Sequence, residues 1–171
     1  MFTRLKRRPY LLVLLSVLLL APRSSTAQAP PTPTAKPNFS GRWRMVRDKS
    51  QFRGFKMPDI IVRVVDHHDP TLNLHTVQTT GKQTSMSDVS YFTNGTEAAN
   101  TINGREAESK AFWDGQALVI RTNMLTSKGE NEVIEDRWEL SEDGKTLTTQ
   151  SHIATNSGTA DLTLVCEKES P

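Results

Sequence analysis

Imidazole and carboxylate side chains set close together can bind transition ions and move protons, so they are the first residues to weigh for chemistry. His67-His68-Asp69, with His75 a hairpin away, is the best metal-like constellation in the chain. Adjacent residues of a strand point to opposite faces, so His67 and His68 share an ion only if the turn before Pro70 reorients them. The cluster therefore reads as a solvated turn, and no metal ligand is assigned. His152 stands in a threonine-rich run and reads as part of a polar face. Glu135 and Asp136 face opposite sides of one extended run, which keeps them from sharing a general acid/base task. Ser, His and Asp are all present, yet no nucleophile elbow, His-Glu-x-x-His helix or phosphate-binding glycine loop accompanies them. No catalytic residue and no cofactor is expected, and an enzyme is the weakest of the readings considered.

Aromatic side chains offer a different chemistry. Trp43, Phe92, Trp113 and Trp138, together with Ile120, fall in extended segments. If they point inward they line a site for a hydrophobic small molecule, and these five are the expected ligand-binding residues. The competing reading is that they plug a filled core. The single cysteine, Cys166, shares an alternation face with Leu162 and Leu164 and reads as a buried, inert thiol.

Strands must position these residues. Between residues 71 and 170 there is no proline, and Gly81, Gly95, Gly104, Gly115, Gly129, Gly144 and Gly158 recur every 9 to 15 residues. Asn94-Gly95, Asn103-Gly104, Asp114-Gly115 and Asp143-Gly144 are dipeptides that take the positive φ of tight hairpin turns. Period-2 runs lie between them: Ile60, Val62 and Val64; Leu118, Ile120, Thr122 and Met124; Ile134, Asp136, Trp138 and Leu140; and Leu162, Leu164 and Cys166. Asp136 interrupts an otherwise apolar face. Strands are expected at 39–47, 59–67, 71–79, 83–93, 97–103, 107–113, 116–126, 131–141, 145–155 and 160–168, with one short helix candidate at 48–55. Antiparallel strands joined in order by short turns hide their edges most simply by closing, so the expected class is all-β, an antiparallel up-and-down β-barrel of about 8–10 strands. Such a barrel admits one small ligand or is filled by its own side chains.

Charge and targeting narrow the function classes. Five of the 21 Lys and Arg fall in the first 27 residues, which hold no acid, and the rest of the chain carries 16 bases against 19 acids. A clustered positive surface for nucleic acid is therefore not expected. Residues 1–10 are basic, 11–21 form an apolar run broken only by Ser16, and Ser25-Thr26-Ala27 supplies small residues for cleavage after Ala27. Residues 1–27 read as a secretory signal peptide, because the run is short of the roughly 20 residues that span a bilayer. No membrane anchor is expected after cleavage, and the protein would be periplasmic or extracellular. Residues 28–37 hold four of the nine prolines and read as a disordered linker, leaving 38–169 as the barrel domain.

At the start of that domain, Asn38-Phe39-Ser40-Gly41-Arg42-Trp43 resembles the G-x-W opening of the calycin families, the lipocalins, fatty-acid-binding proteins and avidins. With Asp48-Lys49-Ser50 and the late segment from Asp136 through Trp138 and Gly144 to Leu147, the pattern is similar to that of exported bacterial lipocalin-like proteins of unassigned function. The resemblance implies that Trp43 closes the barrel floor and that a basic residue from a late strand packs over it. Arg137 is the candidate for that role, although Glu135 and Glu139 on its face read as solvated. The expected function is an exported protein holding a hydrophobic or amphipathic small molecule inside the barrel. The alternative is a filled barrel acting as an envelope structural or protein-interaction module, and the oligomeric state is left open.

Overall fold

Positive φ marks the places where this chain reverses. In the computed structural model, which describes residues 35–170, Asn103 (φ 51°) and Gly104 (φ 75°) close one hairpin, and Gly81, Gly115 and Gly144 turn others. Only a residue without a Cβ, or one such as Asn, takes these angles cheaply. Asn94-Gly95 behaves differently from its expected role. Thr93 alone separates two strands, and Asn94 and Gly95 begin the second of them, beside a β-bulge.

The strands are β1 (Gly41–Met45), β2 (Gln51–Phe52), β3 (Ile60–His68), β4 (Thr71–Thr80), β5 (Gln83–Phe92), β6 (Asn94–Ile102), β7 (Arg105–Asp114), β8 (Ala117–Leu125), β9 (Asn131–Leu140), β10 (Thr146–Thr155) and β11 (Gly158–Lys168). They pair antiparallel in the order β5-β4-β3-β1-β11-β10-β9-β8-β7-β6, with the two-residue β2 added to β11. The result is a nearly closed up-and-down barrel. Its seam lies between β5 and β6, where Asn100 takes the place of a strand pairing. The Ser90 N–H donates to Asn100 Oδ1 at 2.9 Å, and Asn100 Nδ2 donates to the Ser90 carbonyl at 2.9 Å.

Where a helix was expected at 48–55 there is a 3-10 turn at Arg47–Lys49 followed by β2. Ser50 explains the outcome. Its hydroxyl donates to the Val46 carbonyl at 2.9 Å and accepts from the Val165 N–H at 3.1 Å, drawing the chain back onto β11. The signal peptide assigned to 1–27 and most of the linker assigned to 28–37 lie outside the described residues.

The core occupies one end of the barrel. Phe39, Trp43, Leu72, Ala111, Leu118, Ile120, Trp138, Leu147 and Cys166 are at most 1% exposed. The expected face Ile60–Val62–Val64 of β3 is not the inner one. Ile61, Val65 and His67 are buried on the opposite face together with half-buried Arg63, while Ile60 and Val64 are 43% and 38% exposed. The pairing settles the phase, because Val65 lies opposite Leu74, His67 opposite Leu72, and Arg63 opposite Trp43. Val62 is shielded on the outer side, opposite Val77 of β4.

Candidate ligand-binding site

The barrel floor is aromatic. Phe39 stacks on Trp113 (centroids 5.9 Å apart) and on His67 (5.8 Å), and meets the edge of Trp138 at 5.7 Å. Trp43 donates its indole N–H to the Phe39 carbonyl at 2.9 Å, tying the segment before β1 across the floor. Burying side chains of this size contributes about 2–3 kcal/mol each, enough to hold this end shut. His67 is 2% exposed; its Nδ1 accepts from the Phe39 N–H at 3.3 Å, and its Nε2 is buried without a hydrogen-bond partner. Desolvation holds its pKa below the ordinary histidine value of 6.5, so the ring is neutral at neutral pH.

Beneath the floor, Lys168 at the end of β11 sets its ammonium 5.1 Å from the Trp43 ring centroid. Gly41 makes that crossing possible. A Cβ there would stand 2.4 Å from Lys168 Cε, and its φ is 144°. The basic residue over the tryptophan is thus Lys168, not Arg137, which faces outward and pairs with Asp114 at 2.6 Å and Glu139 at 2.9 Å.

Above the floor the lining turns polar. Arg63 reaches across from β3, its guanidinium carbon 5.4 Å from the Trp138 ring centroid and its Nη1 donating to Thr149 Oγ1 at 3.0 Å, while its Nε is buried without a partner. Asp136 of β9 faces inward and accepts from the Ser151 hydroxyl of β10. Burial pushes the Asp136 carboxyl above its ordinary range, against the pull of Ser151 and Arg63. Tyr91 of β5, 5% exposed, has its phenol pushed upward by burial and by the Asp136 charge.

Toward the other end, inward-facing side chains keep accessible surface. Ile134, Asp136, Ser151, Ile153, Ala160 and Leu162 are half-buried, although all lie on the inner faces of central strands β9, β10 and β11. Their partial exposure shows that this end of the barrel is less tightly filled than the floor. At this end Phe52 of β2 lies opposite Leu162, and Arg105 at the start of β7 pairs with Glu132 of β9 at 2.9 Å.

An outer concavity of about 1150 Å³ is lined mainly by residues that alternate with inward ones, among them Ala99, Thr101, Glu106, Glu108, Asn123 and Leu125. It is a broad, charged surface. It offers no enclosure for an apolar molecule.

Of the five expected ligand-binding residues, Trp43, Ile120 and Trp138 are fully buried in the floor and lower wall, and Trp113 is half-buried against Phe39. Phe92 stands one position out of phase. Tyr91 is the inward residue, and Phe92 sits half-buried opposite Thr71. The period gave no hint of Arg63, whereas Asp136 had already shown itself by breaking an apolar face. His67 and His68 point to opposite faces, but the turn is not wholly solvated as expected, because His67 is buried in the floor with its Nε2 3.6 Å from Asp69 Oδ1. His68 leaves toward Asp66 at 3.1 Å, His75 pairs with Asp88 at 2.7 Å, and among the described residues no three His, Cys, Asp or Glu side chains converge on one point. Cys166 is 1% exposed, and burial raises its thiol pKa.

The topology and the closed aromatic floor can be set beside solved structures. This is the lipocalin and fatty-acid-binding-protein fold. The chain is similar to a secretory abundant heat soluble protein from Ramazzottius varieornatus, with 15% identity and a TM-score of 0.57 over 80% of this chain and 98% of that one. It is similar also to lipid binding protein 8 from Caenorhabditis elegans, with 12% identity and a TM-score of 0.54 over 77% and 95% of the two chains. The zebrafish ileal bile acid-binding protein, solved with cholic acid, shares 16% identity and a TM-score of 0.50 over 77% and 98%. No family model and no curated protein matches the chain.

Proposed function

We propose that this protein is an exported carrier that holds one hydrophobic or amphipathic small molecule inside its barrel. The observation that carries the reading is the accessible inner surface of Ile134, Ser151, Ile153, Ala160 and Leu162, above a floor closed by Phe39, Trp43 and Trp138. Affinity would come from burying the ligand's apolar area, at roughly 25 cal/mol per Å², and orientation from the few polar groups in the wall. Two of the proteins that share this fold are a lipid binding protein and a bile acid-binding protein, which agrees with a ligand of this kind.

Titration of the full chain with Nile red, a neutral dye that brightens in apolar surroundings, tests the reading. One saturable equivalent is expected. Dye emission that rises without saturation, or not at all, would contradict it and favour the filled barrel working through its outer surface. Export rests on residues 1–27, and N-terminal sequencing of the secreted form is expected to begin at Gln28. An N-terminus at Met1 would remove the exported part of the proposal.

A further inference from the structure

The first half of β5 is an open strand edge. The Ser90 N–H and carbonyl both turn to the seam, where the Asn100 side chain bonds them. By alternation the backbone groups of Thr84, Met86 and Asp88 turn the same way. β6 does not follow them. It ends at Ile102, two residues beyond Asn100, whereas β5 runs seven residues from Ser90 back to Gln83. Residues 83–86 are exposed on both faces of the strand, and Met86 is 68% exposed. Edges of this kind are ordinarily blunted by lysine, proline or a bulge, and residues 83–87 have none of the three. Charge differs between the two ends of the edge. At the tip of the β4–β5 hairpin stand Lys82 and Lys56, the latter with its Nζ 3.9 Å from where a Cβ on Gly81 would lie. Neither lysine has an ion-pair partner among the described residues, and Asp59, which accepts from the Gly81 N–H at 2.6 Å, also meets Arg47. At the other end Asp88, in contact with His75, borders the outer concavity, where Glu106 and Glu108 have no cation beside them and Arg105 is taken by Glu132.

We infer that two copies of this chain pair edge to edge through β5, antiparallel about a twofold axis at Ser85, each setting its Lys82 opposite the other's Asp88 at the rim of the acidic concavity. In that register Thr84 lies opposite the other copy's Met86. Both residues turn their backbone groups outward, so each such pair exchanges two N–H···O bonds and the open edge is satisfied. Met86, which stands beside Val77 on the outer face, is covered by the added strand. Moving the axis one residue, to Met86, would set Asp88 opposite Thr84 and Lys82 opposite Ser90, and both ion pairs would be lost. Exposed ion pairs add little affinity, but opposite charges directly across a strand pair select the register and like charges oppose it. The pairing uses the outer edge alone and does not depend on a ligand inside the barrel.

Sedimentation equilibrium of the full chain, from about 1 to 200 μM, tests the pairing, and a reversible dimer with a micromolar Kd is expected because the shared edge is short. Lys82→Asp sets acid against acid twice and is expected to weaken dimerisation by about tenfold or more. Adding Asp88→Lys restores opposite charges and should return Kd to within about threefold of wild type. Both positions are exposed, so the variants are expected to fold as the wild type does. Association through any other surface would not follow this pattern. Register is read by mild oxidation of two cysteine variants. Ser85→Cys puts two thiols directly across the axis, with Cα atoms about 4.5 Å apart and within disulfide reach, whereas Ser87→Cys separates them by roughly 14 Å. A covalent dimer is expected in the first and none in the second, since Cys166 is buried. A chain that stays monomeric throughout, a Lys82→Asp variant that dimerises as wild type, a double variant that does not recover, or equal cross-linking at both positions would overturn the inference.

Discussion

Gly41 shows how much one residue of a short motif can carry. Its φ of 144° is one that L side chains rarely adopt, and a Cβ would meet the Lys168 stem at 2.4 Å. Gly41→Ala is expected to destabilise the fold by about 2–4 kcal/mol, because backbone strain and a displaced Lys168 add together. Urea unfolding checks the value. Gly41→Ala combined with Lys168→Ala should recover part of the loss, since only the clash is relieved. His67 makes a second prediction at this scale. The folded state holds its pKa below 6.5, so below that pH the unfolded chain binds the proton first. Stability is then full above the unfolded value and falls as pH drops from 6.5 toward the folded value, with a slope of at most about 1.4 kcal/mol per pH unit from this group. Chemical denaturation at stepped pH is expected to show that slope in the wild type and a flatter one in His67→Gln. Identical slopes would mean that His67 is not the group responsible. At this scale the sequence was legible where a residue broke a pattern, as Asp136 did. It was not legible at Arg63, where both alternation phases of Ile60 to Val65 are mainly apolar and only pairing with Trp43 and Thr76 selects the inner one.

Among the elements, strands and turns were readable because their signals are local. Glycines and Asn-Gly or Asp-Gly pairs mark reversals, and most of the ten long strands lie within a few residues of where the alternation places them. The 48–55 segment was not readable, since Ser50 bonds to Val165, a residue 115 positions away. The seam between β5 and β6 also escaped a local reading. Asn100 there imitates a peptide group of a neighbouring strand, and Asn100→Ala removes both of its bonds to Ser90. The expected cost is about 1–2 kcal/mol, kept modest because Ser90 is exposed and water can replace the lost partner. Hydrogen exchange at the Ser90 amide should quicken by more than the global destabilisation accounts for. Asn100→Asp keeps the acceptor but loses the donor, so it should fall between wild type and alanine. Unchanged exchange at Ser90 in Asn100→Ala would show that the seam is held by other contacts.

Taken as a whole molecule, the barrel has one tightly packed end and one where the inner side chains are only half-buried. Aromatic packing about Phe39 seals the first, and half-buried aliphatic and polar side chains line the second. An up-and-down meander implies closure but does not say whether the inside is full, because that depends on which side chains meet across the barrel. The central claim, that a ligand enters the interior and not the outer concavity, is tested most directly by placing one bulky residue in each. Ile153→Trp fills the inner mouth, whereas Leu125→Trp occupies the concavity lined by Glu106 and Glu108. Leu125 is 52% exposed, so its substitution is expected to leave stability within about 0.5 kcal/mol. The decisive measurement is Nile red affinity for the two variants, each verified as folded by near-ultraviolet circular dichroism. A loss of about tenfold or more in Ile153→Trp, with Leu125→Trp binding as the wild type, is the predicted result. Binding lost in Leu125→Trp and kept in Ile153→Trp would contradict the account and move the site to the outer wall.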